Sequence, residues 1–255
     1  YFNGVHWFAM LIILIASSKV LQLWGSKKSI QGLGLIFTMV IPQVILQSTS
    51  SQNDLLSASY FLVCIYYGYR ICVEKFSYSD YLWGLTAFIL GGFTKYSIFI
   101  LGSPLIIFFG LYQFWRNPSR AVWLGIISFL FFIGIFGMFF YRNYMLMTQI
   151  IAPSTNSPLF IGSYTSELMN WKTFISNFLK ISGNHLALPI GFWNSSYDQL
   201  IGYVHRFIGF PLNTPLNSFG DYSTAFTIGE DFSGNFIHFL SICFLIPVLM
   251  WKRSD

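Results

Sequence analysis

The chain has 255 residues, of which 55% are hydrophobic, 20% aromatic and only 9% charged, with a net charge of +5. Soluble domains carry about 25% charged residues, so this surface cannot be that of a water-soluble globule, and the composition is that of an all-α polytopic membrane protein. Basic runs never exceed two adjacent residues, which excludes a nucleic-acid footprint.

The first apolar run covers about 5–24, with Trp7 where an interfacial aromatic belongs and Lys19 near the other end. A turn holding Lys27 and Lys28 leads to a second run, about 30–47, in which Pro42 predicts a kink. Residues 47–54 are eight polar residues ending in Asp54, set between two apolar runs. A carboxylate there either caps the following helix, which suits the positive helix end, or faces water, a partner or a substrate. The third run, about 53–69, ends at Arg70 and Lys75.

Residues 81–115 fit either one span with a stub or two short spans, about 82–94 and 97–115. The positive-inside rule favours two, because Lys27/Lys28, Arg70/Lys75 and Arg116/Arg120 then share the cytoplasmic side. Gly91-Gly92 helps break the run at the turn. A sixth span, about 121–141, leads to a polar segment, 142–233, with nearly balanced charges and two expected short helices, 171–181 and 195–208, some of this segment lying on the membrane surface. A last span, 234–251, ends at Lys252-Arg253. The expected organisation is therefore a transmembrane module (1–141), an extracytoplasmic segment (142–233) and a final span with a cytoplasmic end (234–255), about seven spans in all. The chain begins at Tyr1 without a basic leader or cleavage site, and is expected to be a piece of a longer protein.

In this topology Asp54, Lys95 and the polar segment share the outer face. An ammonium at membrane depth is costly, so Lys95 either snorkels to the interface or meets an anion such as phosphate. Arg142-Asn143, where the sixth span leaves the membrane, allows the same two readings, an interfacial anchor or a substrate contact. Glu230-Asp231, just before the last span, suit a sugar, a cation or a helix cap. His185, His205 and His238 lack metal-ligand spacing, and Cys64, Cys72 and Cys243 sit in or beside apolar runs without a CxxC or disulfide pattern. No nucleophile-elbow, P-loop or dinucleotide fingerprint occurs.

Four segments together resemble the bacterial integral-membrane glycosyltransferases of GT-C type, a group related to protein O-mannosyltransferases and aminoarabinose transferases. They are Pro42 to Leu56 with its Asn53-Asp54 ending, followed by an apolar helix closing on Tyr69-Arg70; residues 85–96 with Gly91-Gly92-Phe93-Thr94-Lys95; Tyr141-Arg142-Asn143-Tyr144 followed by Ala152-Pro153; and Glu230-Asp231-Phe232-Ser233-Gly234-Asn235. The chain departs from the last pattern at Gly229, where a histidine is expected. The resemblance implies a GT-C-like fold in a bacterial inner membrane with the active side extracytoplasmic. It implies transfer of a sugar from a polyprenyl-phosphate donor to a glycan, lipid or protein acceptor. Lys95, with Arg142 second to it, would meet the donor phosphate. Asp54 would be a supporting carboxylate beside Asn53, the principal one lying in an outer loop that this sequence does not contain. The resemblance implies no certain cofactor, and allows a divalent metal on Asp54. A flippase, or a polymerase or ligase of lipid-linked glycans, is the alternative class.

Overall fold

The computed structural model describes residues 2–49, 53–147, 170–213, 221–227 and 235–252. Ten helices and no strand occur among them: α1 (Phe2–Leu23), α2 (Lys28–Met39), α3 (Pro42–Ser48), α4 (Asp54–Val73), α5 (Tyr78–Thr94), α6 (Ser97–Arg116), α7 (Pro118–Met147), α8 (Trp171–Leu186), α9 (Gly191–Ile208) and α10 (Phe236–Lys252). The chain divides into two compact units, one holding Tyr1–Val40 with Gln47–Ile161, the other Ile41–Leu46 with Gly162–Asp255.

Helix boundaries follow local chemistry. The second apolar run breaks between α2 and α3, and Pro42 takes the first position of α3, where its missing N–H costs nothing. Ser77 opens α5 by accepting the Asp80 amide hydrogen at 3.4 Å. Residues 81–115 belong to two helices, and Lys95 ends α5 in an extended conformation that turns the chain into α6.

Among the described residues four helices can cross a membrane by length and composition: Gly4–Leu23, Asp54–Val73, Ser97–Arg116 and Pro118–Leu146. Counting α2 and α3 as one broken span makes five. Seven were expected. The difference lies in α5, whose 17 residues rise only ~26 Å against a hydrocarbon core of ~30 Å, and in α10, whose described apolar part is Phe236–Leu245. The candidate spans bury little of themselves, 11% of the best window of α7, and show outward residues such as Ile100, Leu101 and Met138. Such a surface needs hydrocarbon rather than water around it.

In the first unit α4 packs against α1, α5 and α6, and α7 packs against α6. His6, Ala9, Ile13 and Ala16, at helical spacing, form the buried stripe of α1. Small residues let α5 approach α4: a Cβ at Gly84 would stand 3.2 Å from the Tyr67 Cβ, and one at Gly91 the same distance from the Tyr60 Cβ. This is how membrane helices gain contact when no hydrophobic effect pulls them together. Phe93, Phe99, Phe132, Phe139 and Phe140 surround the fully buried Phe136 and join α5, α6 and α7.

This packing gathers charge at one end of the unit. Trp24 meets the Tyr69 ring, Arg70 bonds Glu74 at 2.9 Å and Asp80 at 3.3 Å, and the Arg120 guanidinium lies 4.4 Å from the Phe76 ring. The ends of α1, α4 and α6 and the starts of α5 and α7 therefore meet there, with exposed Trp24, Trp83, Trp115 and Trp123 around them, as in an interfacial aromatic belt.

The second unit is built on α8, α9 and α10. The α8 helix turns Thr173, Ser176, Lys180 and Gly183 inward and leaves Phe174, Phe178 and Ile181 exposed. Leu200, Tyr203 and Phe207 are exposed on α9. Apolar faces outward are the reverse of a water-soluble bundle and suit helices lying in a membrane surface. Asn194 closes the α8–α9 turn, accepting the Leu188 amide hydrogen at 3.1 Å and donating to the Leu188 carbonyl at 2.8 Å. Gly209 ends α9 in the left-handed conformation (φ +60°) that a glycine adopts without strain.

Candidate functional site

The start of α4 and the end of α5 meet at the end of the first unit opposite Arg70, Arg116 and Arg120. Asn53 occupies the capping position of α4, but its side chain makes no capping bond, while its carbonyl accepts from the Ser57 amide and hydroxyl. Asp54 is thus the first helical residue rather than the cap. Its carboxylate sits in the positive field of the helix start and pairs directly with the Lys95 ammonium. The two residues are 41 positions apart in sequence. Side-chain exposure is 37% for Asp54 and 48% for Lys95, so the pair stands on an accessible rim rather than in the interior.

Two features bring the pair together. Gly91 lets the last turn of α5 lie against Tyr60 of α4, and the Lys95 amide hydrogen is held by the Gly91 carbonyl at 2.9 Å, which fixes where the side chain departs. Tyr96 and Phe93, flanking Lys95, both touch the Phe139 ring, and the Arg142 guanidinium lies 6.0 Å from that same ring. Arg142 is exposed at this end of the unit, whereas Asn143 turns inward and is 2% exposed. Asn53, Asp54, Lys95 and Arg142 therefore share one end. Glu230 and Asp231 lie outside the described residues.

Among the described residues no three His, Cys, Asp or Glu side chains converge as metal ligands. With one Asp54 oxygen engaged by Lys95, the residues described do not fit a metal centre. The three cysteines are free.

Sequence reasoning overlooked two carboxylates. Asp80 is buried and pairs with Arg70; its signal was Ser77 three residues upstream, an N-terminal helix pattern. In the second unit Asp198 accepts the Thr224 amide hydrogen at 2.7 Å, and Tyr222 donates to the Lys180 carbonyl at 3.3 Å and pairs with the Thr224 hydroxyl at 2.9 Å. Burial pushes the Tyr222 phenol up to about 12, the Asp198 charge adding to it against the opposing Thr224 bond. Burial also pushes the Lys180 ammonium and the His185 imidazole below their usual ranges.

No family model matches the chain, and no curated protein or solved structure does.

Proposed function

We propose that the chain belongs to a membrane glycosyltransferase that moves a sugar from a polyprenyl-phosphate donor to an acceptor on the extracytoplasmic side of a bacterial inner membrane, within a GT-C-like arrangement of about seven spans. The observation that supports it is the Asp54–Lys95 pair: a carboxylate and an ammonium on an accessible membrane rim, at the end of the unit away from its other cationic clusters. In an inverting transfer a carboxylate takes the proton of the acceptor hydroxyl as its oxygen attacks the anomeric carbon. The bond from that carbon to the phosphate oxygen breaks, and polyprenyl phosphate leaves with an added negative charge. Lys95 stands ready to hold that phosphate, with Arg142 nearby, because a cation placed where charge develops lowers the barrier. Asp54 keeps Lys95 in place and offers its other oxygen to the acceptor. Asn53 beside it completes the proposed substrate contacts at this end.

The test reconstitutes the protein expressed from its own gene and supplies a polyprenyl-phosphate sugar. Asp54→Asn and Lys95→Ala should each lower transfer ~100-fold or more, the size of losing a key charge-stabilising donor, without preventing membrane insertion. The double reversal Asp54→Lys with Lys95→Asp should restore packing but not transfer. Retained turnover in both single variants removes the pair from the chemistry. Full turnover in the double reversal makes it a structural ion pair. Movement of labelled lipid-linked glycan across the bilayer without a new glycosidic bond identifies a flippase, and chain growth or attachment of a whole glycan identifies a polymerase or ligase.

A further inference from the structure

A cavity of about 460 Å³ lies between α4, α5, α6 and α7, walled by Phe88, Phe109, Phe132 and Leu124 among others. That volume is within the ~300–1,000 Å³ of small-molecule sites. It runs from the end that carries Arg70, Arg116 and Arg120 toward mid-bundle: on α4 its wall extends from Ile71, ~25 Å along the helix from Asp54, to Cys64, ~15 Å from it. The site proposed above does not use it.

The polar atoms in its wall are already engaged. Asp80 pairs with Arg70, Gln113 donates to the Ile71 carbonyl at 3.4 Å, and the Tyr81 hydroxyl bonds the Leu124 carbonyl at 2.5 Å and the Ser128 hydroxyl. What remains is hydrocarbon wall, so the occupant is apolar in the part that enters. The room is set by sequence. Gly110 on α6 and Gly125 on α7 both line the cavity, and nothing stands within 4 Å of a Cβ built on either. Gly68, also in the wall, is the contrast, because a Cβ there would lie 2.2 Å from the Phe109 ring. Ile106 and Phe129 line the cavity and are also exposed on the outer faces of α6 and α7. The opening therefore gives onto the surface that meets lipid.

Two cations stand at the end of the cavity where α6 passes into α7. Arg120 precedes the wall residue Ala121, and Arg116 follows the wall residue Gln113 by three positions. Among the described residues neither has a carboxylate within ion-pair distance: Glu74 and Asp80 are both held by Arg70. Arg116 lies 5.4 Å from the Tyr112 ring, and the Arg120 Nε is buried without an acceptor. Guanidinium groups fit phosphate oxygens in a two-pronged geometry, and basic pockets between membrane helices hold acidic headgroups.

We propose that this cavity binds an acidic phospholipid, one acyl chain between α6 and α7 and its phosphate on Arg116 and Arg120. The site is independent of whether the protein transfers sugar. The test is native mass spectrometry of the full protein with phosphatidylglycerol or phosphatidylcholine of equal chain length, paired with thermal unfolding. Wild type should keep phosphatidylglycerol at least tenfold better and gain thermal stability from it alone. Gly125→Leu, or Gly110→Leu from the facing helix, should abolish retention by filling the cavity, and Arg116→Gln with Arg120→Gln should lose the preference for the acidic lipid. Equal retention of both lipids by wild type overturns the proposal without any variant. So does unchanged phosphatidylglycerol binding in a folded leucine variant, or loss of bound polyprenyl phosphate instead of phospholipid.

Discussion

Gly91 of α5 lies so close to Tyr60 of α4 that a Cβ at position 91 would stand 3.2 Å from the Tyr60 Cβ and 3.4 Å from Ile98. Neither a Cβ nor the backbone behind it can swing aside as a flexible side-chain tip can, so a larger residue must push α5 away from α4. Gly91→Ala should cost ~1–3 kcal/mol, the usual range for overpacking, and Gly91→Leu more. Because Lys95 hangs from the Gly91 carbonyl, both variants should also loosen the Asp54–Lys95 pair. Thermal unfolding in a defined detergent checks the first effect. A double-mutant cycle with Lys95→Ala in the Gly91→Ala background checks the second, and should show a smaller Asp54–Lys95 coupling than in the wild type.

Arg142 shares the end of the unit with Lys95 but, among the described residues, contacts an aromatic ring rather than a carboxylate. Its expected contribution is to donor binding. Arg142→Ala should raise the donor KM ~10-fold and leave kcat within about threefold, the mark of uniform binding lost. Lys95→Ala should instead collapse kcat. Steady-state kinetics with varied polyprenyl-phosphate sugar separates the two.

His185 stacks on Phe239 at 5.8 Å and is held below its usual range by burial. A depressed histidine contributes stability that is present above its unfolded value near 6.5 and is lost as pH falls through the folded value. Unfolding temperature should therefore fall between pH 7 and pH 5, and fall less in His185→Gln. The imidazole should titrate below 6.5 by NMR; a midpoint above that reverses the sign and removes burial as the cause.

Gly183 of α8 leaves the room that the Tyr222 hydroxyl occupies. A Cβ at 183 would lie 2.1 Å from the Tyr222 hydroxyl, so Gly183→Ala must displace it from the Lys180 carbonyl and Thr224. The phenol, raised to about 12 in the wild type, should then titrate nearer its ordinary value of ~10. A raised phenol favours the folded protein below pH ~10 and loses that effect as pH rises through the folded value, so the wild type should lose stability above pH ~10 and the variant less steeply. Ultraviolet difference titration of Tyr222→Phe, Gly183→Ala and wild type assigns the signal.

The long membrane helices were legible because they are apolar runs bounded by lysines, arginines, prolines or polar clusters. Lys27, Arg70 and Pro42 mark places where the chain changes direction, whereas Gly91 and Gly92, expected to break the run at the turn, lie inside α5, which ends only at Lys95. Asp54 and Lys95 were legible as costly charges beside apolar runs. Asp80 was not, because a carboxylate one turn into a helix looks like an ordinary first-turn acid until Arg70 is seen across from it. The cavity was not legible either. Gly68, Gly110 and Gly125 are alike in sequence, and only packing decides that Gly68 receives the Phe109 ring while the other two face empty space.

Composition and periodicity alone determined that the chain is helical and apolar enough to enter a membrane, since hydrocarbon allows no unpaired backbone and few charges. They also determined the order of the main apolar runs, while the break between α2 and α3 and the extra turns of α4, α7, α8 and α9 came only with the structure. Tertiary structure alone decided which ends meet. It joined Asp54 to Lys95 across 41 residues, put Arg142 beside them, gathered Arg70, Arg116 and Arg120 at the far end, and left room between α6 and α7. The physical reason is that helix formation depends on neighbours within a turn or two, whereas the approach of two helices is set by the small side chains where they touch, and those are identified only when both surfaces are in place.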